Sequence, residues 1–218
     1  MSESASGRGP RQPWLAPVAA LGLLLLGTIA VTVAVTLRLS DASLPARMPS
    51  SSAQALATPA RPTGALPPSG SVGDLVDPAW LARTATAAEI AEPALAAYAG
   101  AAIAAEAAHP GCGLGWNTLA AIGLLDSEHG GERDASGPMR IEREVWAALA
   151  TDGSGDGVPD PQDLEDAALT VALHLCAAGG DLTQADGWST GVAAHNAGLD
   201  YTARVRAAAD RYAAAAGS

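Results

Sequence analysis

Hydrophobic and polar residues divide the chain into three parts that differ in periodicity. Residues 14–37 contain no charged side chain, and about 20 apolar residues suffice for a helix to cross a membrane. Residues 38–72 show no apolar period and are rich in Pro, Ser, Ala and Thr. From about residue 76 onward, apolar positions recur at helical spacing, and no segment alternates as a strand does. The pattern predicts a transmembrane helix, a flexible linker and one all-α domain.

The apolar segment 14–37 favours an uncleaved signal-anchor over a cleaved signal peptide. A cleavable signal has an apolar core of about 7–15 residues followed by a small-residue cleavage site, whereas this segment is longer and no such site follows directly. Residues 1–13 are then expected to be a cytoplasmic tail, and residues 38–72 a tether that cannot bury enough apolar surface to fold. Arginines lie on both sides of the segment, so the positive-inside bias is slight.

The remaining residues, 73–218, are predicted to form seven helices. Asp77 followed by Pro78 is typical of a helix start, because an Asp side chain accepts a backbone N–H there and proline fits the first turn. The helices are expected at about 78–88, 93–108, 116–129, 141–150, 163–178, 186–195 and 200–215.

The predicted helix 116–129 is apolar on two nearly opposite stripes, which is typical of a helix buried in the domain core. Asp126 ends one stripe, with Leu119 and Ile122, while Glu128 ends the other. An acid at the end of a buried helix is the first candidate for chemistry. A solvated helix terminus is the alternative interpretation, since burial alone rarely identifies a site.

The two parts of the chain differ in charge. Residues 1–72 carry five Arg against two acids, a net charge of +3, whereas residues 73–218 carry seven Arg against 21 acids, a net charge of −14. A domain this acidic repels a phosphate backbone, so nucleic acid is not expected as a partner. Neutral or cationic ligands, or a divalent cation, match the overall charge better.

The chain has two cysteines, Cys112 and Cys176, both within the predicted domain. In the cytosol they would be two reduced core thiols, whereas outside it a single disulfide is the natural interpretation. An outside location of the domain is also favoured by the acidic loop described next.

The loop TDGSGDGVPDPQD, residues 151–163, matches the spacing of an EF-hand calcium loop, with Gly157 at its sharp turn. A Gly/Asp-rich surface turn without an ion is the alternative, and an Asp rather than a Glu occupies the twelfth position. The expected calcium ligands are Asp152, Ser154, Asp156, the carbonyl of Val158, Asp160 and Asp163.

These features together resemble the bacterial lytic transglycosylases of the membrane-bound B type, and in particular their actinobacterial members. The resemblance spans about residues 76–212 and includes the AAIG-x-x-(E/D)-S helix, the GPM turn, the acidic loop and the LCAAGGDL segment. The matching segments are 94–99, Cys112, 116–130, 137–140, 152–162, 175–182 and 194–196.

The resemblance implies a lysozyme-like α-helical fold with a groove beside the central helix. It also implies cleavage of the β-1,4 bond between N-acetylmuramic acid and N-acetylglucosamine in peptidoglycan, with formation of a 1,6-anhydro product. One carboxyl group serves as acid and then as base, so no second carboxylate is needed as nucleophile. Asp126 matches the catalytic position, and the expected substrate-binding residues are Ser127, Met139, Arg140, His195 and Asn196.

Three residues depart from the motifs of that family. Asp126 replaces a Glu, Arg140 replaces the Gln of GPMQ, and His195 replaces the Tyr of AYN. Two hypotheses follow. The first is a membrane-tethered, extracytoplasmic lytic transglycosylase, and the second is a catalytically impaired relative that binds peptidoglycan or scaffolds cell-wall enzymes.

Overall fold

The structure is a computed structural model that describes residues 70–132 and 134–217. The predicted tail 1–13, the signal-anchor 14–37 and nearly all of the linker 38–72 lie outside these residues. Within the described residues, no helix is long and apolar enough to cross a membrane.

The described residues form seven α-helices and no β-strand, which confirms the all-α prediction. A short 3-10 turn, Val72–Leu75, precedes the first helix. The helices are α1 Pro78–Ala88, α2 Glu92–Ala108, α3 Trp116–Ser127, α4 Arg143–Leu149, α5 Leu164–Gly179, α6 Ala185–His195 and α7 Tyr201–Ala216.

Helix α3 lies in the middle of the domain and packs against α2 and α7, as its two apolar stripes predict. Leu119 and Ile122 are fully buried, and so is Trp116 at the first turn. Gly123 permits a close approach between α3 and α2, because a Cβ atom at this position would overlap the hydroxyl of Tyr98 on α2. The central helix was therefore predicted correctly in both its position and its burial.

The predicted end of this helix was wrong by two residues. Helix α3 ends at Ser127 because Glu128 and His129 adopt the left-handed conformation, with φ of 51° and 59°. The turn exposes Glu128 to solvent and leaves Asp126 in the last helical turn.

The start of the domain is fixed by contacts with α5 and with the loop before it. Val72 is buried, and its backbone N–H donates to the carbonyl of Gly153 at 2.7 Å. Glu165 accepts hydrogen bonds from Ser71 Oγ at 2.9 Å and from the N–H of Gly73 at 3.1 Å. The 3-10 turn was not predicted, because its stability comes from these long-range bonds and from no local pattern.

The disulfide expected for an oxidising compartment is present between Cys112 and Cys176. It joins the loop that precedes α3 to the C-terminal half of α5, and the Cα atoms are 5.5 Å apart. The backbone N–H of Leu182 also donates to the carbonyl of Cys112 at 2.7 Å. The bridge thus links two segments that are 64 residues apart in the chain.

Candidate functional site

Asp126 lies in a cluster formed by three helices. Asp126 is only 4 % exposed, and each of its two carboxylate oxygens has a hydrogen-bond partner. Nε2 of His195, the last residue of α6, lies 3.0 Å from Oδ2, and the hydroxyl of Tyr201, the first residue of α7, donates to Oδ1 at 2.9 Å. These two hydrogen bonds connect the end of α3 to the junction between α6 and α7.

The short connection between α6 and α7 explains how both partners reach the same carboxylate. Asn196 takes an extended backbone conformation that ends α6, and its Oδ1 accepts the N–H of Gly198 at 2.9 Å. Helix α7 then begins at Tyr201, so the His195 and Tyr201 rings lie side by side, with centroids 6.0 Å apart. One polar turn therefore presents two hydrogen-bonding rings to one acid.

Burial and the neighbouring charge keep the Tyr201 hydroxyl protonated. Desolvation raises the pKa of Tyr201 well above its ordinary value of 10, and the adjacent Asp126 raises it further. A protonated hydroxyl can only be a donor toward a carboxylate, so Tyr201 is a fixed hydrogen-bond donor to Oδ1. His195 is only 7 % exposed, so it and Tyr201 together shield the Asp126 carboxylate from solvent.

Of the other predicted substrate-binding residues, Ser127 and Met139 are buried and Asn196 is exposed. Met139 is fully buried in the core. Ser127 Oγ accepts the N–H of Gly130 at 2.7 Å and lies 3.4 Å from the carbonyl of Gly123, so it stabilises the turn that ends α3. Of these three residues, only Asn196 is exposed to solvent.

Arg140 lies outside the Asp126 cluster, and its side chain is 48 % exposed. Its guanidinium is 3.9 Å from the carboxylate of Glu132, which is itself 68 % exposed. The charges of Arg140 and Arg204 both act to lower the pKa of Tyr201, although burial outweighs them. Arg140 therefore contributes positive charge near the cluster without forming an ion pair with Asp126.

A second polar cluster lies next to the first, centred on His129. Its Nδ1 is 3.2 Å from the hydroxyl of Tyr98, and its Nε2 is 2.9 Å from the hydroxyl of Tyr212. Desolvation lowers the pKa of His129 below its ordinary value of 6.5, so the neutral ring is favoured, with one nitrogen donating and the other accepting. Because Tyr98 lies on α2 and Tyr212 on α7, His129 joins three helices and has a structural role.

The predicted calcium loop is folded by hydrogen bonds to its own carboxylates. Asp152 accepts from the N–H groups of Gly155 at 2.7 Å and Gly157 at 2.8 Å, and Asp156 accepts from that of Val158 at 2.8 Å. Asp163, expected at the twelfth position, is the N-cap of α5.

Asp166 organises this loop, although sequence reasoning did not identify it. The residue is fully buried and accepts N–H groups from Gly153 at 2.7 Å, Ser154 at 2.8 Å and Asp160 at 2.8 Å. The loop therefore wraps around the Asp166 carboxylate. Within residues 70–132 and 134–217, no three His, Cys, Asp or Glu side chains are placed so that they could hold a metal ion.

Two residues of these clusters were thus missed, for different reasons. Tyr201 contacts Asp126, which lies 75 residues away in sequence, and a local sequence pattern cannot predict such a contact. Asp166 lies with Glu165 in the first turn of α5, where acids are common because they favour a helix N-terminus, so its position in the sequence did not indicate that it is buried. In contrast, the residues aligned with the family motifs at Asp126 and His195 do meet in space.

Comparison of the chain with protein-family models, curated proteins and solved structures found no match.

Proposed function

We propose that this chain carries a lytic-transglycosylase-like domain that binds the glycan strands of peptidoglycan and whose cleavage activity is impaired. The observation that carries the proposal is the Asp126 cluster. Asp126 and His195, which the sequence resemblance assigns to one site, are 3.0 Å apart, and both oxygens of the acid are engaged within the protein. The contact between Asp126 and His195 supports the resemblance. The hydrogen bonds at both carboxylate oxygens argue against efficient proton transfer from Asp126 to a substrate.

The hydrogen bonds of Asp126 to His195 and Tyr201 matter because a catalytic acid must be able to reach its substrate. A general acid must bring its proton within hydrogen-bonding reach of the glycosidic oxygen. Asp126 is 4 % exposed, so a ligand can reach its oxygens only if His195 or Tyr201 moves. Asp is also one methylene shorter than Glu, and a misplacement of about 1 Å can lower a rate about a hundredfold. Binding of a glycan strand at the surface of the domain needs neither condition.

The second candidate is an active lytic transglycosylase in which Asp126 is the acid and base. It is favoured by the position of Arg140, which pairs with Glu132 and not with Asp126. An ion pair with Asp126 would have stabilised the ionised carboxylate and so opposed the acid role. The two candidates share a ligand and differ in turnover.

Binding to peptidoglycan tests the shared part of the proposal. Purified full-length protein is expected to co-sediment with purified peptidoglycan sacculi and to remain in the supernatant with an equal mass of cellulose. Equal recovery with both polymers, or no recovery in the sacculus pellet, would contradict glycan-strand recognition.

We also propose that the loop 152–163 binds calcium. Its hard oxygen donors suit that ion, and the Asp152 carboxylate, which receives the Gly157 N–H, retains lone pairs for a metal. Binding would require the carboxylates of Asp152, Asp156 and Asp160 to turn toward a common point. In this proposal the ion supports the fold and takes no part in the reaction.

Calcium is therefore expected to stabilise the protein, by about 1.4 kcal/mol at ten times its dissociation constant. Calorimetric titration and the unfolding midpoint measure the effect. Asp152→Asn should abolish it, whereas Asp210→Asn, a change at an exposed position on α7, should leave it intact. An unfolding midpoint that does not respond to millimolar calcium in the unchanged protein would refute the ion site.

In the same proposal, residues 14–37 anchor the chain in the cell membrane and the domain lies on the extracytoplasmic side. The Cys112–Cys176 disulfide supports this location, because such bonds persist in oxidising compartments. Peptidoglycan would then be within reach of the domain through the linker 38–72.

A further inference from the structure

His129, two residues after the end of α3, is bonded at both ring nitrogens to hydroxyl groups from two other helices. Its Nδ1 lies 3.2 Å from the hydroxyl of Tyr98 on α2, and its Nε2 lies 2.9 Å from the hydroxyl of Tyr212 on α7. The backbone of His129 is left-handed, with φ of 59°, a conformation that residues other than glycine rarely adopt without support from their surroundings. The two tyrosine contacts therefore help to hold the turn that ends α3.

The surroundings of Tyr98 decide which nitrogen of the His129 ring accepts a hydrogen bond. Tyr98 is fully buried, and its hydroxyl packs directly against the backbone of α3 at Gly123. Within residues 70–132 and 134–217, this hydroxyl has no hydrogen-bond partner besides Nδ1 of His129. Because a buried O–H group needs an acceptor, we assign Nδ1 as that acceptor. The ring then carries its proton on Nε2, which donates to the hydroxyl oxygen of Tyr212.

A second proton on the ring would disrupt this arrangement in two ways. Nδ1 would become a donor facing the Tyr98 hydroxyl, whose own proton would then lose its acceptor. The positive charge would also lack a counter-ion, because no carboxylate in the described part of the chain lies within ion-pair distance of His129. Asp126, three residues earlier, has its two oxygens bonded to His195 and Tyr201. In agreement with this geometry, burial lowers the pKa of His129 below its ordinary value of 6.5.

Among the groups that face the ring, the imidazole is the one whose ordinary pKa lies between pH 5 and pH 8. Burial raises the pKa of Tyr98 on α2 and of Tyr212 on α7, so both hydroxyls keep their protons. Arg211, beside Tyr212 on α7, carries a positive charge, which further opposes a second positive charge on the ring. The charge of Asp126 on α3 acts on the Tyr98 hydroxyl, and Glu128 is exposed to solvent.

We propose that His129 is a pH-sensitive lock on the end of α3, and that its protonation at mildly acidic pH opens the turn of residues 127–131. The last turn of α3 carries Asp126, so opening changes the position of that acid relative to His195 and Tyr201. In the opened turn the ring takes up a proton at its ordinary pKa, whereas in the closed turn it does so only at lower pH. The closed turn is therefore most stable above about pH 6.5, and opening increases by at most tenfold for each pH unit below that value.

Amide hydrogen exchange of the full-length protein measures this opening. The N–H groups of Glu128 and His129 donate to the carbonyls of Leu124 and Gly123, so these two amides exchange when the turn opens. Between about pH 7 and about pH 5.5, their protection factors, corrected for the intrinsic exchange rate, are expected to fall several-fold, with an upper limit of about eightfold. The amides in the middle of α5 should keep their protection, because the opening is local.

His129→Gln tests the role of the ring proton, because glutamine also offers one acceptor and a donor but does not titrate. In this variant the protection of the amides at positions 128 and 129 should not depend on pH. His109→Gln, the same change at an exposed position after α2, should retain the decrease seen in the unchanged protein. Protection that does not change with pH in the unchanged protein, or that falls equally in His129→Gln, would overturn the lock.

An NMR titration of the His129 ring in the unchanged protein keeps the inference testable where His129→Gln does not fold. Proton uptake by the folded protein only below about pH 6.5 supports the lock, and uptake at or above that value overturns it. None of these outcomes bears on peptidoglycan binding, because the lock concerns the fold and is measured without a glycan.

Discussion

Replacing Cys112 and Cys176 together with alanine is expected to lower the free energy of unfolding by about 4 kcal/mol. The bridge spans 64 residues of sequence, and without it the unfolded chain regains the entropy of that long loop. Equilibrium unfolding in urea, followed by circular dichroism, measures the difference.

Treatment of the unchanged protein with a reductant provides the matched control. Reduction should produce nearly the same loss of stability as the double substitution, and a reductant should not change the variant. A loss below about 1 kcal/mol would mean that the disulfide adds little to the stability of this fold, contrary to the loop-entropy argument.

Asp126→Ala is expected to destabilise the protein by about 3 kcal/mol, because it leaves two buried groups without partners. The Tyr201 hydroxyl and the His195 ring both lose the carboxylate that they contact at 2.9 and 3.0 Å. Each unsatisfied buried group costs about 1–3 kcal/mol, and no water has free access to either side chain. Asp126 is therefore structurally important whether or not it is catalytic.

Asp126→Asn separates the hydrogen-bonding role from the charge. The amide keeps one acceptor and gains donors, so it can still pair with both rings and should lose only about 1 kcal/mol. Thermal unfolding of the two variants side by side gives the comparison. Equal stability of Asp126→Ala and the unchanged protein would show that the cluster contributes nothing to the fold.

Much of the fold followed from sequence because each helix has local signals. Asp77 caps α1 as expected, its side chain accepting the N–H of Trp80 at 2.7 Å, and the two-sided burial of α3 follows from its apolar pattern. The end of α3 did not follow, since nothing in the sequence required Glu128 and His129 to adopt positive φ. Helix ends depend on tertiary contacts, here those of His129 with two tyrosines.

Of the contacts in the candidate site, only the one between Asp126 and His195 joins two residues that the sequence resemblance had assigned to one site. Tyr201 belongs to none of the segments that carry that resemblance, and its contact with Asp126 became evident only from the position of α7. The acidic loop shows a further ambiguity. An Asp at position 163 satisfies both a calcium-loop spacing and a helix N-cap, because both uses require a carboxylate oxygen at a turn.

We propose that the Asp126 site binds peptidoglycan with its acid poorly placed for cleavage. Mass spectrometry of soluble products from sacculi, incubated with calcium and equal amounts of the unchanged protein or Asp126→Glu, tests it most directly. We predict that the unchanged protein releases anhydromuropeptides about a hundredfold more slowly than Asp126→Glu, because the longer side chain extends the carboxyl toward the scissile bond. Release by the unchanged protein at a rate that Asp126→Glu does not exceed, and that Asp126→Asn abolishes, would contradict the claim and establish an active transglycosylase.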